Sequence, residues 1–439
     1  MLRLALVLFI ICSCQTSLAS EAADVFLSKS DKGDWKVRFQ FQNPATRLAF
    51  SRNPNDARIR RWKSLSDDFI IEYIEEKEYI RRKDGAKFSS ASFLLMPTYT
   101  PLPKDYAPFS NFSDGGALVH DGRFFSCSNE CDHNIDYLWS FELIAPPSDS
   151  ILVNERVTHS KAVWKSSNSG TKVYVGKQKL DIAGDLISLV DEGLPTEIKT
   201  SLSLNLPKIM SYFISKFGNL DDRHSLFASY NKTNQEGIGS QGGVLPKQVF
   251  MHWYGRDLEK AVKKGSFLKG TVWFFAHEVA HMYQKKTSQT KSDSDAWLHE
   301  GAAEKFALEA MFFVQPDSTS YSENRVEEFK QSCKKGIQTL NLSKATENGQ
   351  FGLHYGCGFL IHHSIDVVTK KHFPDGDGIF DVWREYQKQV KDGAEASQAT
   401  YLKIVEEYTN DSHKALLENF IADSKNNYSE LVDSYEKLN

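Results

Sequence analysis

The stretch Phe274-Phe275-Ala276-His277-Glu278-Val279-Ala280-His281-Met282-Tyr283 holds two histidines four positions apart. On a helix that interval stacks both imidazoles on one face, one turn apart. Zinc takes histidine nitrogens at about 2.0–2.1 Å, and two rings so spaced can converge on one ion. Glu278 follows the first histidine and falls beside the pair. From there it can accept a proton from a metal-bound water and pass it to a leaving amine. A third carboxylate ligand is available in Trp297-Leu298-His299-Glu300-Gly301-Ala302-Ala303-Glu304, with eighteen residues between His281 and Glu300. Two histidines, one carboxylate and an open fourth position form the donor set of a catalytic zinc site, not a structural one.

These two segments together resemble the gluzincin metallopeptidases, in particular the aminopeptidase-N-like and glycyl-aminopeptidase-like branches. In that family the third ligand sits in a Trp-Leu-x-Glu-Gly-x-Ala-Glu stretch at this spacing. The resemblance implies one zinc ion held by His277, His281 and Glu300. It implies that Glu304, one turn on, orients a ligand histidine through its second ring nitrogen. It also implies hydrolysis of peptide bonds in a peptide or protein substrate. Downstream lies His354-Tyr355-Gly356-Cys357-Gly358-Phe359-Leu360, similar to the family's Tyr-x-Lys-Gly segment. The resemblance gives Tyr355 the role of hydrogen-bond donor to the oxyanion, with His354 as a rival. Cys357 stands where the family has lysine.

A larger departure lies upstream. Aminopeptidase-N-like enzymes carry a Gly-x-Met-Glu-Asn strand whose glutamate binds the substrate's amine. The matching stretch is Gln241-Gly242-Gly243-Val244-Leu245-Pro246, with Leu245 in the carboxylate's place and Glu236 outside the pattern. Gly242 and Gly243 can still present backbone to an extended peptide, or can form a turn. Exo- and endopeptidase action both stay open. So do hydrolysis of a non-peptide substrate and zinc binding without turnover.

The elements around these motifs divide the chain. Trp35, Val37, Phe39 and Phe41 alternate with Lys36, Arg38, Gln40 and Gln42, which predicts a half-buried strand. Asp121-Gly122 and Ser167-Asn168-Ser169-Gly170 predict hairpin turns. Residues 195–217 read as helical, with Pro207 marking a break or a second start. Residues 226–230 and 244–253 read as strands. From Thr271 onward spaced apolar residues predict helices at 271–286, 295–313, 323–340, 353–370, 378–391, 398–409 and 412–437. The expected fold is α+β and multidomain. It has an N-terminal β-rich module (21–178), a thermolysin-like mixed catalytic module (179–314) and a helical C-terminal module (315–439) that contributes Tyr355.

Composition excludes some classes. With 53 basic and 57 acidic residues in 439, the chain lacks the basic excess of a nucleic-acid binder. Residues 1–20 read as an export signal: Arg3, the apolar run Leu4–Ile11, and small residues at Ser17-Leu18-Ala19. That run is too short to span a membrane, so the expected location is periplasmic or extracellular. Cys14 offers a site for a lipid tether. Cys127, Cys131, Cys333 and Cys357 remain, and an oxidising compartment suggests disulfides, with the local pairing 127–131 and 333–357 preferred over two others. A metal site from Cys127, Cys131 and His133 is the alternative.

Overall fold

The computed structural model describes residues 21–102, 105–284, 287 and 292–437; the predicted signal, with Cys14, lies outside them. The chain forms two compact units. One comprises the described part of Met1–Phe109 with His120–Val153 and Thr158–Val173. The other comprises Ser110–Val119, Asn154–Val157 and Tyr174–Asn439.

The first unit is built on β-sheet. Its six-stranded sheet runs Lys161–Ser166, Trp139–Ile144, Asp24–Lys29, Trp35–Ala45, Phe88–Leu95, Trp62–Ser64. Trp35, Val37, Phe39 and Phe41 are buried while the residues between them face outward, as the alternation requires. A four-stranded sheet contains Ser126–Ser128, Arg47–Phe50, Lys77–Arg82 and Phe69–Ile74, in that order. The ring of Trp62 stacks on Phe39 and Phe124 at 6.0 and 5.7 Å.

Both expected hairpins fail here. Asp121–Phe124 is a 3-10 turn, and Ser126–Ser128 pairs with Arg47–Phe50 instead of turning back. The buried Asp121 carboxylate accepts hydrogen bonds from Trp164 Nε1 (2.9 Å) and Thr171 N (2.6 Å), so the dipeptide anchors neighbouring chain. Lys161–Ser166 pairs with Trp139–Ile144, not with the segment after Gly170.

The second unit is a five-stranded sheet followed by helices. Its strands are β1 (Asp181–Ala183), β2 (Leu186–Val190), β3 (His224–Asn231), β4 (Ile238–Leu245) and β5 (Gln248–Gly255), in the spatial order β1-β2-β3-β5-β4. Strands β2, β3 and β5 run parallel, and β4 returns antiparallel along β5 as the edge. Helix α1 (Thr196–Phe217) makes the crossover from β2 to β3. Pro207 lies inside α1 without ending it. The expected strand at 244–253 is two strands, turned at Pro246 and Lys247, where Lys247 has φ of 63°.

Among the described residues, the helices of eight or more residues that follow the sheet are α2 (Gly265–Gln284), α3 (Ala296–Val314), α4 (Thr319–Gly336), α5 (Gly352–His372), α6 (Ile379–Lys391), α7 (Gln398–Tyr408), α8 (Asp411–Ala422) and α9 (Ser424–Glu436). The expected helix 412–437 is thus split, with Asp423 between α8 and α9. Helix α3 buries Trp297, Leu298, Ala302, Ala303, Phe306 and Ala307 completely, so it is wrapped on nearly every side.

Cys127–Cys131 and Cys333–Cys357 are disulfides. The first pair's sulfurs are bonded to each other, which removes the thiolate metal-site alternative. The second pair, Cα–Cα 4.8 Å, ties α4 to α5 across a sequence separation of 24. Closing a loop of that size restricts the unfolded chain by about 3 kcal/mol. The Cys333→Ser, Cys357→Ser double variant is expected to lose about that much unfolding free energy, read from the denaturant midpoint. An unchanged midpoint would assign the α4–α5 junction to packing alone.

Candidate active site

Helix α2 projects His277 and Glu278 into a nearly closed wall, with 6% and 8% of each residue exposed. His281 follows one turn later. Helix α3 enters from across the gap with Glu300 in its first turns. The Nε2 atoms of His277 and His281 lie 3.0 Å apart, and each is 3.3 Å from Glu300 Oε2. Bonds of 2.0–2.1 Å at tetrahedral angles give ligand–ligand edges of about 3.3 Å. These three atoms therefore have the spacing of three corners around one zinc ion. Glu300 Oε2 is buried without a hydrogen-bond donor, and a cation would satisfy it. Among the described residues, His277, His281 and Glu300 are the group able to hold a metal.

Each histidine is steadied from behind. Glu304 Oε1 stands 3.6 Å from His277 Nδ1, longer than a hydrogen bond but close enough for charge to act. Glu304 Oε2 accepts from Trp273 Nε1 at 2.5 Å. His281 Nδ1 meets Gln284 Oε1 at 2.7 Å, and Gln284 Nε2 donates to the carbonyl of His299 at 2.8 Å. A nitrogen donating to Gln284 leaves Nε2 free to face the metal position. The sequence reading did not pick out Gln284, although its place three residues after His281 was a usable signal.

Charge follows the same geometry. Burial alone would raise Glu300, but His281, His277 and His299 outweigh it and hold its carboxyl well below the usual range. Burial pushes Glu278 up, against the pull of His277 and His281. Burial, then Glu300 and Glu278, raise Tyr355, so its hydroxyl stays protonated as a donor. The Tyr355 ring lies parallel to His277 with centroids 5.8 Å apart.

His277, Glu278 and Tyr355 open on a cleft of about 440 Å³ lined also by Gly242, Phe274 and Arg325, among others. A Cβ on Gly242 would sit 2.2 Å from Phe274 Cζ, so a larger residue there would have to push the Phe274 ring aside where edge strand β4 meets α2. Gly243 is buried in the same strand, paired with Phe250, and is not part of the cleft lining. Both glycines are strand residues, which answers the turn alternative. Leu245 is buried, and exposed Glu236 ion-pairs with Arg256. His354 is buried, meets Thr346 Oγ1 through Nε2 at 2.8 Å, and is not among the residues lining the cleft, whereas Tyr355 is. A larger groove of about 730 Å³ elsewhere on α3 is crossed by ion pairs such as Lys305–Asp366 (2.8 Å) and holds none of these groups.

Helices α3 and α5 cross at two glycines. A Cβ on Gly301 would lie 2.2 Å from the carbonyl carbon of Gly358. The backbones therefore touch one residue after Glu300 and three residues after Tyr355, which brings the two side chains within reach of each other.

No protein-family model matches the sequence, and no curated protein matches it. Solved structures do. An aminopeptidase N family protein from Idiomarina loihiensis superposes with a TM-score of 0.62 at 12% identity, over 91% of this chain and 76% of that one. Native yeast LTA4 hydrolase superposes with a TM-score of 0.51 at 11% identity, over 91% and 67%. The resemblance carried by the zinc motifs therefore extends to the architecture: a β-rich N-terminal part and a helical C-terminal part, in the fold of an aminopeptidase N family protein.

Proposed function

We propose that this chain is an exported zinc peptidase. The observation that carries the reading is the triangle of His277 Nε2, His281 Nε2 and Glu300 Oε2 at zinc spacing, with Glu278 beside it in an open cleft. Bound there, zinc would lower the pKa of its water and polarise the scissile carbonyl. Glu278 takes the proton of the attacking water and delivers it to the leaving amine nitrogen. Tyr355 donates its hydroxyl hydrogen to the carbonyl oxygen as that oxygen gains charge. Edge strand β4 aligns the substrate backbone by strand addition at Gly242. Two disulfides favour an oxidising compartment, in keeping with residues 1–20 as an export signal.

The test is metal content and peptide hydrolysis on one preparation. About one zinc per chain is expected, with hydrolysis that is lost on chelation and returns with added zinc. The ends of the products separate exo from endo action. Hydrolysis that survives complete metal removal overturns the reading, as does zinc-loaded protein that cleaves no peptide.

A further inference from the structure

The cleft contains a cation that the chemistry above leaves unused. Arg325, from α4, lines it together with His277, Glu278 and Tyr355. Its guanidinium lies over the rings of Trp273 and Phe329, at 5.4 and 4.8 Å from their centroids. The two rings, 6.1 Å apart and tilted by 44° to each other, meet the guanidinium from adjacent sides and hold it by cation–π attraction. Among the described residues it ion-pairs through Nη1 with Glu328 Oε2 at 2.6 Å, within one helix, on a glutamate side chain that is 61% exposed. Such a pair is worth little and exchanges readily with water. Nε is buried and has no hydrogen-bond partner.

The anions of the same cleft are committed. Glu304 accepts from Trp273 and faces His277, and Glu278 serves the water. Edge strand β4 brings no carboxylate: Leu245 is buried and Glu236 is paired with Arg256. A substrate's free amine thus meets no unassigned anion among the described lining residues, whereas an anionic group meets a planar donor whose described ion pair is with an exposed glutamate. The donor stands on the Trp273 side of the cleft, one helical turn before His277 along α2.

We propose that Arg325 selects substrates bearing a carboxylate next to the scissile bond, and so determines specificity in the site proposed above. The carboxylate is either an acidic side chain or the terminal carboxylate of a short peptide. A bidentate arginine–carboxylate contact in a part-buried cleft is worth roughly 10- to 100-fold in affinity.

The test uses the zinc-loaded full chain and matched peptides. Glu against Gln at positions flanking the cleaved bond reads the side-chain source; free acid against amide at the C-terminus reads the other. The wild type is expected to favour the acidic member of one series by about tenfold or more, mainly through KM. Arg325→Gln is expected to bring that ratio close to one, Arg325→Lys to keep part of it, and Arg325→Glu to reverse it toward Lys-containing peptides. A reversed preference cannot come from misfolding. Binding of the same peptides to zinc-loaded Glu278→Gln, with and without Arg325→Gln, gives a readout independent of turnover.

Equal handling of acidic and neutral peptides by the wild type overturns the proposal while leaving the peptidase reading intact. An acidic preference that survives Arg325→Gln does the same. Arg325-dependent carboxylate binding without cleavage of any peptide overturns the peptidase reading and supports the selectivity.

Discussion

Glu278→Gln is expected to retain one zinc and to lose hydrolysis by about 10³-fold, within the 10²–10⁴ that a positioned general base supplies. The amide has the size of the carboxylate, so the wall it occupies stays packed. It cannot take up a proton at neutral pH. Glu278 is 8% exposed and lines the cleft, and the described lining holds no second free carboxylate beside it, since Glu304 is bonded to Trp273. Its oxygens take no part in the triangle of His277, His281 and Glu300, so the metal site keeps its full donor set. Metal analysis with steady-state kinetics on both proteins checks this. Turnover within tenfold of wild type would place the base elsewhere. Loss of zinc from the variant would make Glu278 a ligand and would undo the assignment of Glu300.

The central site was readable in the sequence because its spacing is a property of a single helix. Residues four apart share a face wherever the helix lies, so His277 and His281 were placed before any tertiary contact was known. Glu300 was reached by a second motif on a second helix. Gly242 was singled out by the resemblance of its stretch to the family's strand, and it lies on edge strand β4 with Phe274 against its Cβ position.

Arg325 carried no local signal. It reaches the cleft because α4 packs beside α2 and a disulfide ties α4 to α5, and neither fact is written in the residues around it. The hairpins failed for a related reason. Asp-Gly and Asn-Ser-Gly mark a change of direction, but strand partners are chosen over long range. Asp121 spends its turn chemistry holding Trp164 and Thr171. Pro207 was over-read, because the helix around it buries Leu202, Leu206, Ile209 and Phe213, and that apolar face outweighs one missing amide donor.

Gly301→Ala is expected to cripple stability and catalysis together, although it removes no functional atom. The added methyl would sit 2.2 Å from the carbonyl carbon of Gly358 and 2.4 Å from its Cα. Both are backbone atoms, so no side-chain rotation relieves the clash. Helices α3 and α5 must separate by more than an ångström, in a core where overpacking costs about 1–3 kcal/mol or more. The separation starts beside Glu300 and carries Tyr355 away from it. Displacements of that size in a reacting constellation cost about 10²-fold in rate. The control lies in the same helix pair. Gly352 begins α5 and has nothing within 4 Å of its Cβ position, so Gly352→Ala is expected to be neutral or to stabilise by a few tenths of a kcal/mol. Denaturant melts, zinc titration and kcat/KM on the two variants decide the matter. If Gly301→Ala folds with wild-type stability and activity, the glycine crossing is not what sets the distance between Glu300 and Tyr355. If it loses stability but keeps zinc affinity while kcat falls, then the crossing positions Tyr355 more than it positions the ligand. That outcome would separate the two jobs that one backbone contact performs.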